Sequence, residues 1–494
     1  MKRLISCVLA LLYVMAGFAS GTWILHGKEY RVDTLYHAYI GPGTTQTSIK
    51  LAGPVNLRVF YTTTDLKNEN VDVRAIKHKD TLTGLGTVSN AAESHSTSSR
   101  SYFAGINADF FSSSMPCGIT IVDGEVYCSD QASGWSLFGI DANKIPYSGG
   151  GDFYVKLTAP DYSTAELSAM NLERETNGLV LYSSRKGANT GTDSNGSEVV
   201  LIPDGEGNFL TLGATVRMRV QGNPNHAGSM PIPDNGYILS GSGTKESFVS
   251  NLSEGDVVEV RCAIRFNGFT GGKIQQALGG CPMLVSGGEV LDTENALDHL
   301  TSAQPRTAVG YNAEKNKLVM LVADGRSSIS VGPISKVLAD IMIYAGCSEA
   351  MNFDGGGSST FYVKGEGVIN QPSDGSERSV ADGLYLSTDA PQNDVTITTI
   401  RFMDYAKTLN QGDAYTPVIY GYNQYGVLVD RNVEGVTLSC GSSLGTITND
   451  GTTLNALGSG THMLTAGYGN LTTSLSVTVI GESGISSVDN SQVL

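Results

Sequence analysis

Short runs rich in Val, Ile, Thr and Tyr recur along this chain, with Gly, Asn and Asp turns between them. Branched and aromatic side chains favour strands, because they pack well on a pleated surface. Only one stretch has clear helical periodicity, although the chain is 494 residues long and holds 60 glycines. The pattern therefore predicts an α+β protein, in which a larger β-rich domain of mixed sheets contains few helices.

The N-terminal 20 residues have the pattern of a signal peptide. Lys2 and Arg3 form a short positive start, and residues 4–18 are apolar. The apolar run is shorter than a comfortable membrane span, and Gly17 and Ala19 offer small residues at the cleavage positions. We therefore expect export to the periplasm, the cell surface or the extracellular space. No other stretch of the sequence predicts a transmembrane segment.

The chain is longer than one hydrophobic core usually supports, and its character changes near residue 390. Residues 390–394 have the composition of a linker, and the short alternating strands after them predict a small β-sandwich. Residues 445–448 and 461–467 resemble bacterial immunoglobulin-like domains. The expected organisation is a signal peptide (1–20), a β-rich domain (21–389), an all-β immunoglobulin-like domain (390–480) and a disordered Ser-rich tail (481–494).

Three consecutive glycines follow the helical stretch. Apolar residues recur at helical spacing over 333–345, and residues 350–353 have the pattern of a buried strand. Asp354 comes next, followed by the glycines at 355–357 and then by Ser358. Glycines can turn several N–H groups toward one point, which would cradle an anion beside the carboxylate. A flexible loop is the alternative.

A hairpin is predicted just upstream of this helix. Residues 306–311 and 317–323 have strand patterns, and an Asp-Gly-Arg segment ends the second strand. This arrangement would bring Arg306, Asp324 and Arg326 near one edge of a sheet. An ordinary Asp-Gly turn with solvent-exposed arginines is the alternative.

A third polar pair occurs in residues 105–111. Asn107 and Asp109 are two positions apart, and side chains at that spacing in a strand point to the same face. Phe110 and Phe111 are expected to pack in the core. A strand end that carries a turn carboxylate would explain the same pattern.

Together these segments resemble the phosphodiester glycosidase family. Short blocks follow the family's order between residues 107 and 378, with Phe353 where the family has Leu. Residues 152–248 match only loosely, and the chain beyond residue 389 does not match this family. The blocks are Asn107 to Phe111, Cys117-Gly118, Asp123-Gly124, residues 279–285, Arg306-Thr307, Asp324-Gly325-Arg326, Asn352 to Ser358, and Asn370-Gln371-Pro372 with Arg378.

The resemblance implies a hydrolase that breaks the bond between the anomeric carbon of a sugar and a phosphate oxygen, as in an N-acetylglucosamine-1-phosphodiester. A leaving phosphate needs charge stabilisation more than protonation, and a carboxylate must lie near the anomeric carbon. The candidate catalytic residues are Asp354, Asp324 and Asp109, with Asp354 placed nearest the anomeric centre. The candidate substrate-binding residues are Asn107, Arg306, Thr307, Arg326, Asn352, Gly355, Gly356, Gly357, Ser358 and Arg378.

Charge and composition limit the possible partners. The formal net charge of −16 argues against nucleic-acid binding, because an acidic surface repels phosphates. The expected partner is a phosphorylated glycan or glycoconjugate. The sequence has neither C-x-x-C nor Cys/His ligand spacing, so we predict no zinc site and expect no cofactor. A calcium ion held by Asp and carbonyl oxygens stays open.

Two other functions are compatible with parts of the pattern. One is an exported glycan- or phosphate-binding surface protein without catalytic turnover. The other is a metal-dependent phosphodiesterase that cuts P–O bonds. The second is disfavoured, because none of the seven histidines lies in the motif blocks.

The cysteine count permits disulfides in an exported chain. Loss of Cys7 with the signal peptide would leave six cysteines, an even number. Cys117 and Cys128 flank a predicted hairpin turn at Asp123-Gly124. A disulfide between them and free buried thiols are both compatible with this spacing.

Overall fold

The computed structural model describes residues 21–130, 135–205, 210, 212–266, 273–292 and 301–481. Strands account for 50% of the structure and helices for 7%, which confirms the predicted β-rich fold with few helices. The predicted signal peptide and residues 482–494 of the predicted tail lie outside the described residues. In the described part of the chain, no helix is both long enough and apolar enough to cross a membrane.

The chain divides into two compact units. The first contains the residues up to 35 together with residues 48–389, and the second contains residues 36–47 together with those from 390 onward. The division after residue 389 falls at the predicted linker. Residues 36–47 group with the second unit, whereas the sequence analysis assigned them to the first domain. The functional assignment of each domain stays a prediction.

Three α-helices occur in the described residues: α1 (Val88–His95), α2 (Glu246–Ser250) and α3 (Ser335–Tyr344). Helix α1 begins after Thr87, whose hydroxyl accepts the Asn90 N–H at 3.3 Å and so satisfies a free amide of the first turn. Helix α3 lies within the predicted range 333–345. It buries Leu338, Ile341 and Met342.

The strands of the first unit are given in chain order. Strands β2 and β3 also include residues of the second unit. They are β1 (Gly21–Leu25), β2 (Lys28–Gly41), β3 (Thr44–Ala52), β4 (Asn56–Asp65), β5 (Asp72–Lys77), β6 (Ser101–Asn107), β7 (Phe111–Ser112), β8 (Met115–Pro116), β9 (Thr120–Val122), β10 (Glu125–Cys128), β11 (Ser136–Asp141), β12 (Pro146–Gly149), β13 (Gly151–Thr158), β14 (Thr164–Glu166), β15 (Ala169–Met170), β16 (Leu179–Tyr182), β17 (Gly196–Pro203), β18 (Thr215–Asn225), β19 (Tyr237–Ser242), β20 (Val257–Phe266), β21 (Ile274–Gly280), β22 (Met283–Ser286), β23 (Glu289–Val290), β24 (Arg306–Tyr311), β25 (Lys317–Ala323), β26 (Glu349–Asn352), β27 (Phe361–Val363), β28 (Gly367–Val368) and β29 (Asp382–Thr388).

A nine-stranded sheet carries the predicted hairpin. Its order is β1-β2-β3-β4-β25-β24-β26-β22-β23. Strands β24 and β25 have the predicted bounds and pair antiparallel, with Arg306 opposite Ala323. Helix α3 contributes to the same buried apolar cluster as this sheet, which includes Leu321 and Leu338. The polar segments after β25 and β26 therefore follow strands that pair with a neighbouring strand on both sides.

A five-stranded sheet, ordered β28-β27-β6-β29-β5, carries the other polar segment. Strand β6 ends at Asn107, which lies opposite Gly383 of β29. Asp109 therefore lies beyond the strand, and the prediction that Asn107 and Asp109 share one strand face is wrong. The chain leaves the ladder at Ala108, whose N–H still bonds the Asp382 carbonyl at 3.3 Å.

The loosely matching middle region builds mainly an eight-stranded sheet, ordered β14-β13-β20-β18-β17-β19-β16-β15. Neighbouring strands pair antiparallel except β15 and β16, which are parallel. A second five-stranded sheet, β10-β9-β21-β11-β12, shares an apolar cluster with it that includes Ile121, Leu137 and Leu239. Strands β7 and β8 form a separate two-stranded ribbon.

The second unit is all-β in its described residues and has its own apolar core, which includes Leu454, Leu464 and Val477. Its sheets are ordered β30-β33-β34, β31-β39-β38-β35 and β32-β37-β36. Its relation to immunoglobulin-like domains stays a prediction. Its strands are β30 (Thr399–Phe402), β31 (Ala406–Asn410), β32 (Ala414–Tyr415), β33 (Ile419–Tyr422), β34 (Leu428–Asp430), β35 (Thr437–Cys440), β36 (Gly445–Thr448), β37 (Thr453–Ala456), β38 (Gly460–Tyr468) and β39 (Leu471–Ile480).

The six cysteines of the described chain are free thiols. In the β9–β10 hairpin, Cys128 lies opposite Thr120, and the register shifts between Val126 and Cys128. The bulge moves Cys128 out of the simple register that a two-residue turn would impose. Of the two alternatives for Cys117 and Cys128, the structure has free thiols.

We predict that a protease will cut the native chain within residues 390–394, where Pro391 and Asn393 are exposed. The two pieces should remain together after cleavage. Within the second unit, Ala38 packs with Tyr420 and Tyr422, and the Tyr422 hydroxyl donates to the Tyr39 carbonyl at 2.8 Å. Size-exclusion chromatography should therefore show one peak that a denaturing gel resolves into two bands. Separation of the pieces under native conditions would contradict this grouping.

Candidate functional site

Asp354 and the glycines after it lie where three chain segments come together. The Asp354 N–H bonds the Ala108 carbonyl at 2.8 Å, and the Phe353 N–H bonds the Thr307 carbonyl at 2.8 Å. The Gly356 N–H bonds the Pro305 carbonyl at 2.9 Å. The chain after β26 is thus tied to the segment after β6 and to the start of β24. Residues Gly356–Ser358 then form one 3₁₀ turn.

The glycine amides are partly used inside the protein. Besides the Gly356 N–H, the Gly355 N–H is engaged, since it donates to the Asp354 carboxylate. Gly356 has a positive φ of 62°, which favours glycine. The triplet therefore holds the carboxylate and makes a tight turn, and it is not a simple nest of free amides as the sequence suggested. Binding of substrate by these glycines stays a prediction.

A buried polar network positions the Asp354 backbone. Asn107 donates its amide N–H to the Asp354 carbonyl at 2.7 Å. Its side-chain oxygen accepts the Thr307 hydroxyl at 2.8 Å and the Thr360 N–H at 3.1 Å. The Thr307 hydroxyl also lies 3.2 Å from the Ser359 hydroxyl. Because Asn107 and Thr307 are fully buried, they act on the site through Asp354.

Two exposed arginines flank the glycine turn. Arg326 donates to the Gln304 side chain at 2.7 Å and to the Ser373 hydroxyl at 3.3 Å. Its guanidinium lies beside Gly356, where an added Cβ would come within 3.0 Å of Nη2. Arg378 forms a salt bridge with Asp374 at 2.7 Å. Both guanidinium groups retain exposed surface beside the turn, and such forks suit phosphate oxygens.

Arg378 also touches the turn itself. Its Nη1 atom lies 3.3 Å from the Ser358 hydroxyl, and that hydroxyl bonds the Asp354 carboxylate. An added Cβ at Gly357 would overlap both the Arg378 guanidinium and the Asp374 carboxylate. Three residues predicted from the sequence, Ser358, Gly357 and Arg378, are therefore close together and next to Asp354.

Arg306 differs from these two arginines because it is buried, with 2% of its surface exposed. It donates to the Ser302 carbonyl at 2.7 Å and to the Pro333 carbonyl at 3.3 Å. Burial, together with the positive charge of Arg326, lowers the pKa of Arg306 to about 10. These contacts join the segment before β24 to the segment before α3. Arg306 therefore stabilises the backbone next to the site.

Three aspartates gather at the site, and one of them was not predicted. Asp382, the first residue of β29, accepts the Asp109 N–H at 2.9 Å. Asp109 in turn accepts the Gly118 N–H at 2.8 Å. Asp109 and Asp382 are 1% and 0% exposed, whereas Asp354 is partly exposed. Only Asp354 of the three is therefore open to a substrate.

Burial raises the pKa of all three carboxyls. The pKa of Asp354 rises to about 6, because desolvation of its carboxyl outweighs the Ser358 and Gly355 hydrogen bonds. Desolvation also raises the pKa of Asp382 to about 6, against the attraction of Lys77. The pKa of Asp109 rises well above its ordinary value through burial and the charge of Asp382. Clustered carboxyls with raised pKa values are typical of functional sites.

Lys77 is the second residue that sequence reasoning missed. Its ammonium group is buried and donates to the Gly84 and Ala381 carbonyls at 2.8 and 3.0 Å. Burial lowers its pKa, while the negative charge of Asp382 opposes that shift. A signal was available in the sequence, since Lys77 and Asp382 are both charged residues next to apolar strand residues. A charge in such a position usually needs a buried partner.

Asp324 and Asn352 have other neighbours. Asp324 accepts the Gln371 N–H at 2.9 Å and the Asn370 side-chain N–H at 3.3 Å, and burial raises its pKa to about 6. Asn352 donates to the Cys281 and Phe353 carbonyls at 2.8 and 2.6 Å. These contacts hold loops beside the site. The catalytic role of Asp324 stays a prediction.

A cavity of about 480 Å³ lies elsewhere, and its lining includes Arg174, Asp193, His226 and Glu246. Its charged groups pair with each other: Arg174 and Asp193 are 2.6 Å apart, and His226 and Glu246 are 3.5 Å apart. None of the predicted site residues lines it. We place the functional site at Asp354 on chemical grounds, since the raised carboxyl pKa values and the exposed arginines coincide there. Within the described residues, no group of three or more His, Cys, Asp or Glu side chains is arranged to hold a metal ion.

One family model matches part of this chain. Residues 213–387 match the family model described as phosphodiester glycosidase, which confirms the resemblance over that range. The range includes Arg306, Asp354, Arg378 and Asp382, and it begins after Asp109.

One curated relative is the SPbeta prophage-derived uncharacterized protein YomE of Bacillus subtilis (strain 168). It is 40% identical over 88 residues, which is 18% of this chain and 13% of the relative. Two solved structures share the fold, each with a TM-score of 0.55. A hypothetical protein from Synechocystis is 16% identical, with 70% of this chain and 62% of that chain covered. A protein of Burkholderia pseudomallei K96243 that is named as exported is 17% identical, with 75% and 99% covered.

We predict that Gly357→Ala will lower kcat/KM about 10- to 100-fold with little loss of stability, because the new methyl group displaces Arg378 and Asp374 beside Asp354. Gly150→Ala is the matched control, since a Cβ there meets no atom within 4 Å. The measurements are kcat/KM and thermal unfolding of both variants. Unchanged activity in Gly357→Ala would show that the Arg378 position does not matter.

Proposed function

We propose that this protein is a phosphodiester glycosidase, which hydrolyses the bond between the anomeric carbon of a sugar and a phosphate oxygen. The observation that carries the proposal is one partly exposed carboxylate, Asp354, next to a glycine turn flanked by the exposed Arg326 and Arg378. The arrangement supplies a carboxylate for the sugar carbon and two guanidinium groups for the phosphate. The match of residues 213–387 to the family model supports the same activity.

The chemistry assigns a separate role to each group. In hydrolysis, the anomeric C–O bond breaks and water supplies a hydroxyl to the carbon. The leaving phosphate monoester keeps the bridging oxygen and takes the other proton from water. Phosphate is a good leaving group, so stabilising its charge with arginine matters more than protonating it. Asp354 would act at the anomeric carbon as nucleophile, base or stabiliser of positive charge.

Burial separates the residues that touch substrate from those that support them. Arg326 and Arg378 are exposed beside the turn and would bind the phosphate. Arg306, Asn107 and Thr307 are buried and would hold the turn in place. Arg306 and Arg378 are both candidate substrate-binding residues from the sequence, and we assign phosphate binding to Arg378 because Arg306 is buried.

The proposed substrate is an N-acetylglucosamine-1-phosphodiester or a similar glycoconjugate. The proposed location is outside the cytoplasm, supported by the signal-peptide pattern of residues 1–20. The Burkholderia protein of similar fold is named as an exported protein.

The direct test is incubation with an N-acetylglucosamine-1-phospho-6-mannose analogue, followed by proton and phosphorus NMR. We expect free N-acetylglucosamine and mannose 6-phosphate, formed about 100-fold or more slowly with Asp354→Asn. Cleavage of the P–O bond on the mannose side would instead release a sugar 1-phosphate. Cleavage of the other P–O bond would place oxygen from isotope-labelled water in the mannose 6-phosphate and not in the N-acetylglucosamine. Either result would contradict the proposal. Substrate signals that broaden without product would favour the non-catalytic glycan- or phosphate-binding protein.

We predict that Arg326→Lys will reduce kcat/KM about tenfold or more on a phosphodiester, because the planar fork is lost while the charge is kept. The reduction should be much smaller on an activated aryl glycoside, whose leaving group carries no phosphate. Asp354→Asn should impair both substrates alike, by about 100-fold or more, because its partner is the sugar carbon that both contain. Arg31→Lys, at an exposed salt bridge with Asp33, is the control.

Comparison of the two substrates decides between these roles. Losses are compared as ratios of kcat/KM, since KM alone mixes binding with chemistry. If Arg326→Lys impairs the aryl glycoside as much as the phosphodiester, Arg326 does not act on the phosphate.

We predict an acidic limb in the pH profile of kcat/KM near pH 6. Asp354 must be ionised to act at the anomeric carbon, and burial raises its pKa to about 6. Activity should therefore fall about tenfold per pH unit below that value and stay level just above it. A limb near pH 4, the ordinary range of aspartate, would show that Asp354 is not the group that must be ionised.

A further inference from the structure

Two fully buried carboxyl oxygens in the site lack a hydrogen-bond partner in the described residues. They are Oδ1 of Asp109 and Oδ2 of Asp382. The other oxygen of each carboxyl is engaged, by the Gly118 N–H at 2.8 Å and by the Asp109 N–H at 2.9 Å respectively. The two residues are therefore neighbours, and each keeps one buried oxygen without a donor.

This arrangement is costly if both carboxyls are ionised. A buried carboxylate oxygen without a donor loses its hydration and gains nothing in return. Two adjacent negative charges also repel each other, so one of them resists ionisation. A single proton shared by the two unpartnered oxygens would remove both problems, because it would neutralise one carboxyl and give the other carboxyl's free oxygen a donor.

Backbone packs closely against the Asp109 carboxyl. A Cβ added to Gly118 would fall 2.8 Å from Asp109 Oδ2, and one added to Gly279 would fall 2.6 Å from the same atom. The Cα of Gly279 also lies close to Gly118. Two glycines thus allow main chain, and not solvent, to cover this carboxyl.

The charges around the pair determine which carboxyl holds the proton. The buried Lys77 attracts negative charge to Asp382, whereas the raised pKa of Asp109 is opposed by hydrogen bonds from the Gly118 and Phe110 N–H groups. Asp354 repels charge on both, and Arg378 acts on Asp354. Cys117, Cys128 and Tyr385 also interact with the cluster, and Asp130 acts on the two cysteines.

We propose that Asp109 and Asp382 are positioning residues that hold one proton between Asp109 Oδ1 and Asp382 Oδ2, so that Asp354 carries the negative charge of the site. Lys77 balances the ionised Asp382, and the proton balances Asp109. The neighbouring Asp109 carboxyl is then neutral, so Asp354 can ionise near neutral pH. The inference rests on the proposed function for the role of Asp354, but the proton itself can be detected without any activity.

The first test measures the pH dependence of unfolding. The pKa of Asp109 is raised in the folded state, so its contribution to stability is complete below the unfolded pKa and is lost as pH rises. The test compares how the unfolding equilibrium constant of each protein rises with pH. Above about pH 4, each pH unit should raise that constant about ten times more in the wild type than in Asp109→Asn. Trp23 and Trp135 are the two tryptophans of the chain and both belong to the first unit, so their fluorescence reports its unfolding.

Asp109→Asn suits this test because it mimics the protonated carboxyl. Its side-chain oxygen can accept the Gly118 N–H, and its amide can donate to Asp382 Oδ2. Asp141→Asn is the matched control, since Asp141 is buried at the end of β11, where it accepts the Asn143 and Ile145 N–H groups. The control should keep the wild-type slope. Equal slopes for the wild type and Asp109→Asn would overturn the proposal.

The second test uses the pH profile of kcat/KM. Asp382→Asn leaves Lys77 unbalanced near Asp354, so the acidic limb should move to lower pH. Lys77→Met leaves Asp382 unbalanced, so the limb should move to higher pH, and the double variant should return it toward the wild-type position. A purely structural role would lower activity without moving the limb. An unmoved limb in Asp382→Asn therefore overturns the proposal even if Lys77→Met does not fold.

A bound cation is the competing explanation for the unpartnered oxygens. In that case EDTA would destabilise the wild type at pH 7 but not Asp109→Asn, and this result would overturn the shared proton. If the wild type does not cleave a phosphodiester glycoside, the proposed function fails. The unfolding slopes would still decide whether the pair holds a proton.

Discussion

Burial of three neighbouring aspartates is the constraint on which this site depends. Each carboxyl removed from water resists ionisation, and each negative charge makes the next one more costly. Lys77 supplies a buried positive charge beside Asp382, and Arg378 acts on Asp354. Because Asp109 and Asp382 are covered, Asp354 alone meets a substrate. The raised pKa of Asp354 therefore belongs to the one carboxyl of the three that a substrate can reach.

The sheets can hold such a cluster because backbone pairing leaves its members little freedom to move apart. The Asp354 N–H bonds the Ala108 carbonyl at 2.8 Å, which joins the chain after β26 to the chain after β6. Asn107 strengthens the same junction through its bond to the Asp354 carbonyl. The aspartates lie at or just after strand ends, and the exposed arginines lie on the loops beside them. This division is common in proteins whose loops bind substrate on a rigid scaffold.

Much of the local structure followed from the sequence. Apolar periodicity predicted strands β24 and β25 and the position of helix α3, because side-chain spacing reflects which face is buried. The glycine triplet after β26 marked the turn that carries Asp354, since a positive φ at Gly356 favours glycine. The motif blocks led to the phosphodiester glycosidases, to which residues 213–387 match.

The sequence by itself determined strands β24 and β25, helix α3 and the Asp354 turn, because each depends on residues close together in the chain. The family resemblance rested on short blocks that are each local in the same way. Tertiary structure decided which residues complete the site. Asp382 lies 273 positions from Asp109 and yet accepts its N–H, and Lys77 becomes its counterion only through the pairing of β5 with β29. Folding also buried Arg306 and left Arg326 exposed. Burial and charge coupling are relations between distant segments, so local spacing could not reveal them.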